Sequence, residues 1–339
     1  MTMIRGLLAA GLTAFLLTQI STGAAGKTVF KIATLAPDGS AWMTIFTEMN
    51  AEVEQATAGE VSFKAYPGGV LGDEINAIRK IKLGQIQGAG VTGMGMCQIY
   101  PDFRVISLPN LFSTYEQADA VIAKLEPFFT EQYAAAGYVV LGYPRLGFSF
   151  MFSSAPLRSL EDLRNSKVWV WADDPTMTAM TQAAGVNGVS LGIADVLTGL
   201  QTQLIQTVFN SPSGVIALQW HTKLKTMTDL PLTFSTGGLL VDKNAFDKLP
   251  ADTQQRVLEI VGRHIRRLSS AAQQENEDAR QVLRDRGIEF LPPSVALRTE
   301  FAAAADKTTA ALMGKSISPE VVQRVRGLIG EMPAETDAP

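Results

Sequence analysis

Two apolar periodicities alternate along the first third of the chain. Residues 29–33 predict a strand, and Ser40 then precedes a segment with helical spacing, which suits a helix N-cap. The apolar residues of that helix are Trp42, Ile45, Phe46, Met49, Val53 and Ala56. Residues 61–65 alternate as a second strand, and residues 75–81 carry isoleucines at helical spacing before Gly84. This alternation predicts βαβ units and a mostly parallel sheet.

Later segments predict strands that pass between two halves of the molecule. Residues 138–143 and 147–152 are consecutive strand-like runs, and residues 238–241 predict a strand that crosses back. A chain of 339 residues is too long for one ordinary compact domain and suits two α/β lobes.

A further βα unit and a long helix complete the pattern. Residues 168–171 predict a strand, and Asp174 then caps a helix whose first residue is Pro175. Residues 250–286 are charge-rich and predict one long helix that stops at Gly287.

The composition excludes several classes of function. Apolar residues make up 46% of the chain and charged residues 18%, with a formal net charge of -4, so no basic surplus supports nucleic-acid binding. The single cysteine, Cys97, excludes an intrachain disulfide framework. With only two histidines, His221 and His264, a multi-histidine metal centre is not expected. No cofactor is expected either.

Residues 1–25 predict a cleavable signal peptide. Arg5 precedes a short apolar run, 6–17, and small residues follow up to Ala25. The run is too short to span a bilayer, although an N-terminal membrane anchor is the alternative. We expect cleavage near Ala25 and a periplasmic mature chain that does not insert into the membrane.

Catalytic chemistry is not prominent in the sequence. His221 and His264 lie in segments typical of surface or packing residues, and Cys97 lies in an apolar, glycine-rich run that favours a buried, inert thiol. No nucleophile and base are placed together, so we expect a binding protein. A secreted enzyme remains a rival that turnover of a bound ligand would support.

Two tryptophans mark a candidate site. Side chains alternate across a strand, so Trp169 and Trp171 share one face, roughly 7 Å apart. Indoles at the carboxyl end of a strand lie where open α/β sheets bind ligands. The alternative is that both indoles belong to a core.

Six segments together resemble the solute-binding proteins of TRAP (tripartite ATP-independent periplasmic) transporters, of the dicarboxylate-binding DctP family. They are YPGGVLGDE at 66–74, KLG at 82–84, SLPNLF at 107–112, SLEDLRNSKV at 159–168, ADVLTGLQT at 194–202 and NSP at 210–212. The resemblance covers roughly residues 28–300.

The resemblance implies a periplasmic-binding-protein-like α/β fold, with two lobes joined by hinge strands and a long lobe-spanning helix. Lobe 1 would comprise 27–145 plus about 236–285, and lobe 2 would comprise 146–235 plus about 286–330. Residues 331–339 would be a flexible tail. It also implies hinge closure over a small-molecule ligand, which a membrane permease then receives.

Two departures from the family pattern change the expected ligand. Members that bind organic acids typically carry an arginine in the strand after the 159–168 segment and another in the preceding strand. Trp169 occupies the first position and Ser149 falls near the second. Losing both guanidinium groups favours an apolar or amphipathic ligand, such as a lipid or a hydrophobic acid.

The expected ligand-binding set combines aromatic side chains with polar anchors: Trp42, Glu74, Phe148, Ser149, Trp169, Trp171, Phe209, Asn210 and Trp220. One alternative is a small organic acid held by Lys31, Arg145 or a bound metal ion. Another is a sensor that reports its ligand to a membrane signalling protein. The sequence does not separate a monomer from a dimer.

Overall fold

A computed structural model describes residues 27–172 and 174–332. The predicted signal peptide and residues 333–339 of the predicted tail lie outside the described residues. Within them, no helix combines the length and the apolar character that crossing a membrane requires.

Strands and helices alternate along most of the described chain. The strands are β1 Thr28–Thr34, β2 Val61–Tyr66, β3 Gly88–Thr92, β4 Tyr138–Gly142, β5 Arg145–Ser153, β6 Val168–Trp171, β7 Gly188–Leu191, β8 Thr207–Asn210, β9 Thr226–Asp242 and β10 Glu289–Leu291. The helices are α1 Ala41–Ala56, α2 Glu74–Lys82, α3 Gly93–Ile99, α4 Tyr115–Ala135, α5 Leu160–Arg164, α6 Pro175–Ala184, α7 Val196–Gln201, α8 Pro212–Ala217, α9 Lys243–Phe246, α10 Ala251–Asp285, α11 Val295–Leu312 and α12 Pro319–Gly330. Three 3₁₀ helices span Pro101–Ser107, Ile193–Asp195 and Trp220–Lys223.

The strands join in the order β2-β1-β3-β9-β5-β8-β6-β7, with β4 and β10 also paired to β9. Pairs β1–β2, β1–β3, β6–β7 and β6–β8 are parallel, as predicted for βαβ units. The long strand β9 pairs antiparallel with a strand on each side of the lobe junction. Its residues Thr226–Thr236 pair with β5, and its residues Gly237–Val241 pair with β3. The chain therefore crosses between the lobes along β5 and β9.

The long helix α10 contacts both lobes. It packs against α1 and β4 of the first lobe, and against α8 and β5 on the side of the second. The bidentate Arg280–Asp229 pair, with N···O distances of 2.9 and 2.8 Å, ties its later turns to β9. The predicted α/β fold with a long helix is confirmed.

The last two helices pack on different lobes. Helix α11 packs against α6, whereas α12 packs against α4 and the Pro101–Ser107 helix. Ser318 before α12 donates its hydroxyl to Asp102 at 2.7 Å. The whole segment of about 286–330 was expected in lobe 2. The structure instead places α12 on first-lobe elements, because its apolar face completes their packing.

The largest apolar cluster contains residues of both lobes, such as Phe103 and Trp169, and each lobe has a further core of its own. The first-lobe core is built on aromatic side chains of β1, α1 and β2 and on the first turns of α10. The second-lobe core is largely aliphatic and lies between the sheet and helices α5, α6 and α11.

Candidate ligand-binding site

A cavity of about 390 Å³ lies where the lobes meet. Its first-lobe wall comes from α3 and the Pro101–Ser107 helix, and β5 and β9 form its hinge side. Its second-lobe wall comes from β6, α6, β8, α8 and α11. Parallel strands β6 and β8 both end at this cavity, which is the usual position of a ligand site in an open α/β sheet.

The sequence folds these strand ends into tight strand-to-helix connections. Asp174 caps α6 by accepting a hydrogen bond from the Thr176 amide at 2.8 Å. After β8, Asn210 accepts from the Ser211 amide at 2.8 Å. A Cβ at Gly214 would lie 2.5 Å from the Asn210 side-chain oxygen, so glycine is required for this close approach.

Five of the nine residues predicted from the sequence line the cavity: Ser149, Trp169, Trp171, Phe209 and Asn210. Ser149 lies on hinge strand β5, opposite Thr233 of β9. The other four lie on β6 and β8, and the strand-end argument had concerned the two tryptophans of β6.

Trp169 belongs both to the wall and to a core. Only 2% of its surface is exposed, and its indole nitrogen donates to the Leu191 carbonyl at 3.0 Å. Its ring packs on Trp171 at 5.7 Å and edge-on against Trp220 at 5.4 Å. The indole therefore supplies apolar surface to the cavity, and its N–H is already used within the fold.

The aromatic residues Trp42, Phe148 and Trp220 do not line the cavity. Trp42 stacks on Phe46 at 5.1 Å and packs against the first-lobe core. Phe148 packs edge-on against Phe234 at 5.0 Å, and Trp220 lies behind Trp169. Their predicted placement at the ligand site is corrected, because each ring packs against another aromatic side chain of the protein.

Glu74 also lies away from the cavity lining, which corrects its predicted role as a ligand anchor. Its carboxylate accepts from the Thr92 amide at 2.7 Å, the Thr92 hydroxyl at 2.9 Å and the Gly95 amide at 2.9 Å. Burial raises its pKa, and these three donors oppose the rise. Glu74 thus fixes the start of α3, whose first residues face the cavity.

Neither cation named in the sequence analysis reaches the cavity. Lys31 is exposed on β1, and Arg145 is held outside by Glu126 at 2.6 Å and Asp119 at 3.4 Å. Arg104, which was not predicted from the sequence, is the one Lys or Arg among the described lining residues. The charge of Arg104 within the otherwise apolar residues 103–106 could have indicated this role from the sequence.

Arg104 and Asp174 face the cavity from opposite lobes. Arg104 is 9% exposed, and its Nη1 contacts the Pro101 and Ser316 carbonyls at 3.5 and 3.4 Å. Burial raises the pKa of Asp174, while the Thr176 amide and the Arg104 guanidinium oppose the rise. Burial also raises the pKa of the lining thiol of Cys97 to about 12, so this cysteine is a poor nucleophile.

The cavity continues into the core of the second lobe. Six buried members of that core are also lining residues: Leu163, Val168, Ala184, Val186, Leu232 and Phe301. We call this part of the cavity the second-lobe chamber. Met177 and Met180 of α6 also line the cavity. Methionines adapt readily to irregular apolar ligands.

One catalytic motif in the sequence is not formed in the structure. Residues 188–192 match the Gly-x-Ser-x-Gly spacing of a hydrolase nucleophile. Ser190, however, is an exposed residue within β7, paired with Val170, and not at a strand-to-helix turn. The two histidines lie elsewhere: His264 contacts Glu52 at 2.8 Å, and His221 contacts Arg286.

Two lobes, two crossing strands and a cavity at the junction define a ligand-binding receptor. The model of the bacterial extracellular solute-binding protein family 7, DctP, matches residues 32–316. The chain belongs to this family. It is a solute receptor of the TRAP transporter class and not an enzyme, as the sequence motifs led us to expect. Proteins of this class are periplasmic, bind small ligands and work with membrane permease components.

Relatives and solved structures agree with this assignment. The uncharacterized protein YiiZ of Salmonella typhimurium is 26% identical over 251 residues, 73% of this chain and 76% of that protein. The C4-dicarboxylate-binding periplasmic protein DctP of Rhodobacter capsulatus is 25% identical over 239 residues, 69% and 71% respectively.

The solved structures share the fold at low identity. A TRAP solute-binding protein of Desulfovibrio desulfuricans with bound sn-glycerol-3-phosphate has a TM-score of 0.83 at 19% identity, covering 92% of this chain and 100% of that chain. One from Xanthobacter autotrophicus with bound β-D-galacturonate has a TM-score of 0.81 at 20% identity, covering 89% and 99%.

Proposed function

We propose that this receptor binds an amphipathic molecule whose apolar part occupies the second-lobe chamber. After export by the signal peptide at 1–25, the receptor would close over this ligand and deliver it to the membrane permease. The observation that carries the proposal is the continuity of the cavity with the second-lobe core. Burying ligand surface there is favourable by about 25 cal/mol per Å² of apolar area.

The two substituted family positions support an apolar ligand. Trp169 and Ser149 both line the cavity and provide no cation. A small acid with several charges would have to shed its water against mainly apolar walls, which costs several kcal/mol per unpaired charge.

The crossing strands support closure by a hinge. Strands β5 and β9 both link the lobes and both line the cavity, so movement at the hinge changes its shape. An alternative role, in which closure is reported to a membrane signalling protein, uses the same geometry. Co-purification with the permease subunits would support transport.

Native mass spectrometry of the protein purified from its periplasm tests the ligand class. We expect a retained amphipathic molecule, which denaturing extraction would identify. Wild-type protein stripped by unfolding and refolded should then bind decanol, as followed by fluorescence of the lining residues Trp169 and Trp171. A retained sugar acid or dicarboxylate, with no binding of decanol, would contradict the proposal.

A small organic acid is the second candidate, and the presence of Arg104 in the wall favours it. Titration with succinate and galacturonate compares the candidates directly with decanol. If binding of these acids depended on a metal ion, a chelator would abolish it, which covers the metal-assisted form of this alternative.

A further inference from the structure

The cavity has a polar corner on its first-lobe side. Arg104 and Ser107 lie three residues apart in the Pro101–Ser107 helix, and both line the cavity. In a 3₁₀ helix, side chains three residues apart lie one above the other. The Arg104 and Ser107 side chains therefore leave the same face of this helix, toward the cavity. Thr236 and Gly93 are close by: a Cβ on Gly93 would lie 3.5 Å from the Ser107 hydroxyl and 3.3 Å from the Thr236 carbonyl.

The guanidinium of Arg104 has few partners among residues 27–172 and 174–332. It carries five N–H donors, and its hydrogen bonds to these residues use Nη1 alone, at the long distances of 3.5 and 3.4 Å. No carboxylate oxygen of residues 27–172 or 174–332 lies within 4 Å of it. Arginine stays charged when buried, so its planar fork favours an oxyanion at the cavity surface.

Asp174 lines the same cavity from the second lobe, but its carboxylate already has a partner within the protein. Its side chain holds the first turn of α6 through the Thr176 amide. An acidic group at a helix N-terminus is stabilised by the helix itself. Asp174 therefore leaves the donors of Arg104 available, while its negative charge disfavours a second anion nearby.

We infer that Arg104 is the anion anchor of this site and that the ligand is an amphipathic monoanion. Its single carboxylate binds Arg104 and Ser107 of the first lobe, and its apolar body extends into the second-lobe chamber. This inference rests on the proposed function. A ligand held in this way contacts both lobes, so it stabilises the closed form over the open one. A dianion is disfavoured because the described lining offers a single cation.

Three probes of equal chain length separate the chemistry of the head group: decanoate, decanol and decylamine. Binding is measured by tryptophan fluorescence and by calorimetry on the stripped full chain. We expect wild-type protein to bind decanoate at least about tenfold more tightly than decanol, a difference typical of one well-placed charged hydrogen bond. Arg104→Gln should remove this preference and change decanol binding less than about twofold.

Three further variants control the interpretation. Arg104→Lys keeps the charge but not the fork, so it should retain part of the preference, and it replaces Arg104→Gln if that variant does not fold. Asp174→Asn keeps an N-cap side chain and should strengthen decanoate binding only. Arg158→Gln removes a cation whose side chain is 68% exposed, paired with Glu289 and outside the lining, and should change nothing.

The outcomes distinguish the two proposals. Binding of decanol without any preference for decanoate would overturn the role of Arg104 and leave the proposed function standing. So would a preference that survives in Arg104→Gln, or tighter binding of decylamine than of decanoate. Failure of the wild-type protein to bind any of the three probes would overturn the proposed function itself and the anchor with it.

Discussion

The apolar cores confined to the two lobes differ in how much they contribute to the cavity wall. In the first-lobe core, Phe30 and Phe63 stack at 5.4 Å, and Phe46 meets Phe63 edge-on at 6.4 Å. No residue of this core lines the cavity. Half of the buried residues of the second-lobe core do line it.

This difference shows how one lobe can provide a packed framework while the other lobe provides the wall of a ligand cavity. Tightly packed side chains gain dispersion energy from contacts on every side, whereas side chains that face a cavity lack partners there. On the proposed function, the second lobe gives up stability that an apolar ligand would restore. The first lobe keeps its stability and supplies the polar corner around Arg104.

The largest expected effect comes from the same truncation made in each core. Phe63→Ala should lower the free energy of unfolding by about 3–5 kcal/mol, because it opens a hole in packed surroundings. Phe301→Ala should cost about half as much, because the Phe301 ring already faces the cavity and has fewer contacts to lose. Urea unfolding of ligand-free protein, followed by circular dichroism, measures both.

The two phenylalanines are matched for burial, at 4% and 6% exposed. Unequal hydration therefore does not explain a difference in cost. Equal losses of stability would mean that the second-lobe core is as well packed as the first-lobe core. The second-lobe chamber would then have no room for a ligand.

Much of the fold was predictable because local periodicity determines it. The alternation of Val61, Phe63 and Ala65 corresponds to β2, and the long charge-rich segment corresponds to α10. The strand-end rule also placed Trp169 and Trp171 at the cavity. These inferences use only spacing and the positions where strands of a parallel sheet end.

The rest of the site depends on packing that spacing does not encode. Trp42 and Trp220 are as aromatic as Trp171, but each faces a core instead of the cavity. Arg104 lines the cavity on a 3₁₀ helix that α12 covers from far along the chain. The second-lobe chamber is a space between side chains, and a sequence does not show where side chains fail to meet.

Filling the second-lobe chamber with a larger side chain tests the difference between the two cores by its effect on ligand binding. Ala184 lines the chamber, so Ala184→Leu should place its extra carbons in empty space and leave the free energy of unfolding unchanged or higher. The same carbons occupy the volume that a ligand needs. Binding of decanol should weaken at least about tenfold, which corresponds to about 1.4 kcal/mol. Fluorescence titration and urea unfolding supply the two readouts.

Ala304 is the matched control for this variant. It belongs to the same core and is equally buried, at 3% exposed, but it does not line the cavity. Ala304→Leu should therefore overpack the core and cost about 1–3 kcal/mol of stability. If both variants were destabilised alike and Ala184→Leu kept its affinity for decanol, the proposed position of the ligand would be wrong.

The lobes also differ in how they hold α10, and this leads to the smallest expected effect. On the first-lobe side, Glu52 of α1 contacts Arg263 and His264 of α10. Hydrogen bonds from His264 and Arg263 lower the pKa of Glu52 below its usual value of 4.5. A carboxyl with a lowered pKa in the folded state stabilises the protein above its unfolded pKa, and this contribution is lost as the pH falls through the folded value.

Glu52→Gln should therefore cost no more than about 1 kcal/mol at pH 7, because the Glu52 side chain is 42% exposed and water screens its ion pairs. At a pH well below 4, the variant and the wild type should be equally stable. Glu54→Gln on the same helix is the control, since Glu54 forms no ion pair with the described residues and contacts Asn50 instead. Urea unfolding at a series of pH values measures the difference. A loss of stability that stayed constant down to acidic pH would show that Glu52 acts through packing and not through its charge.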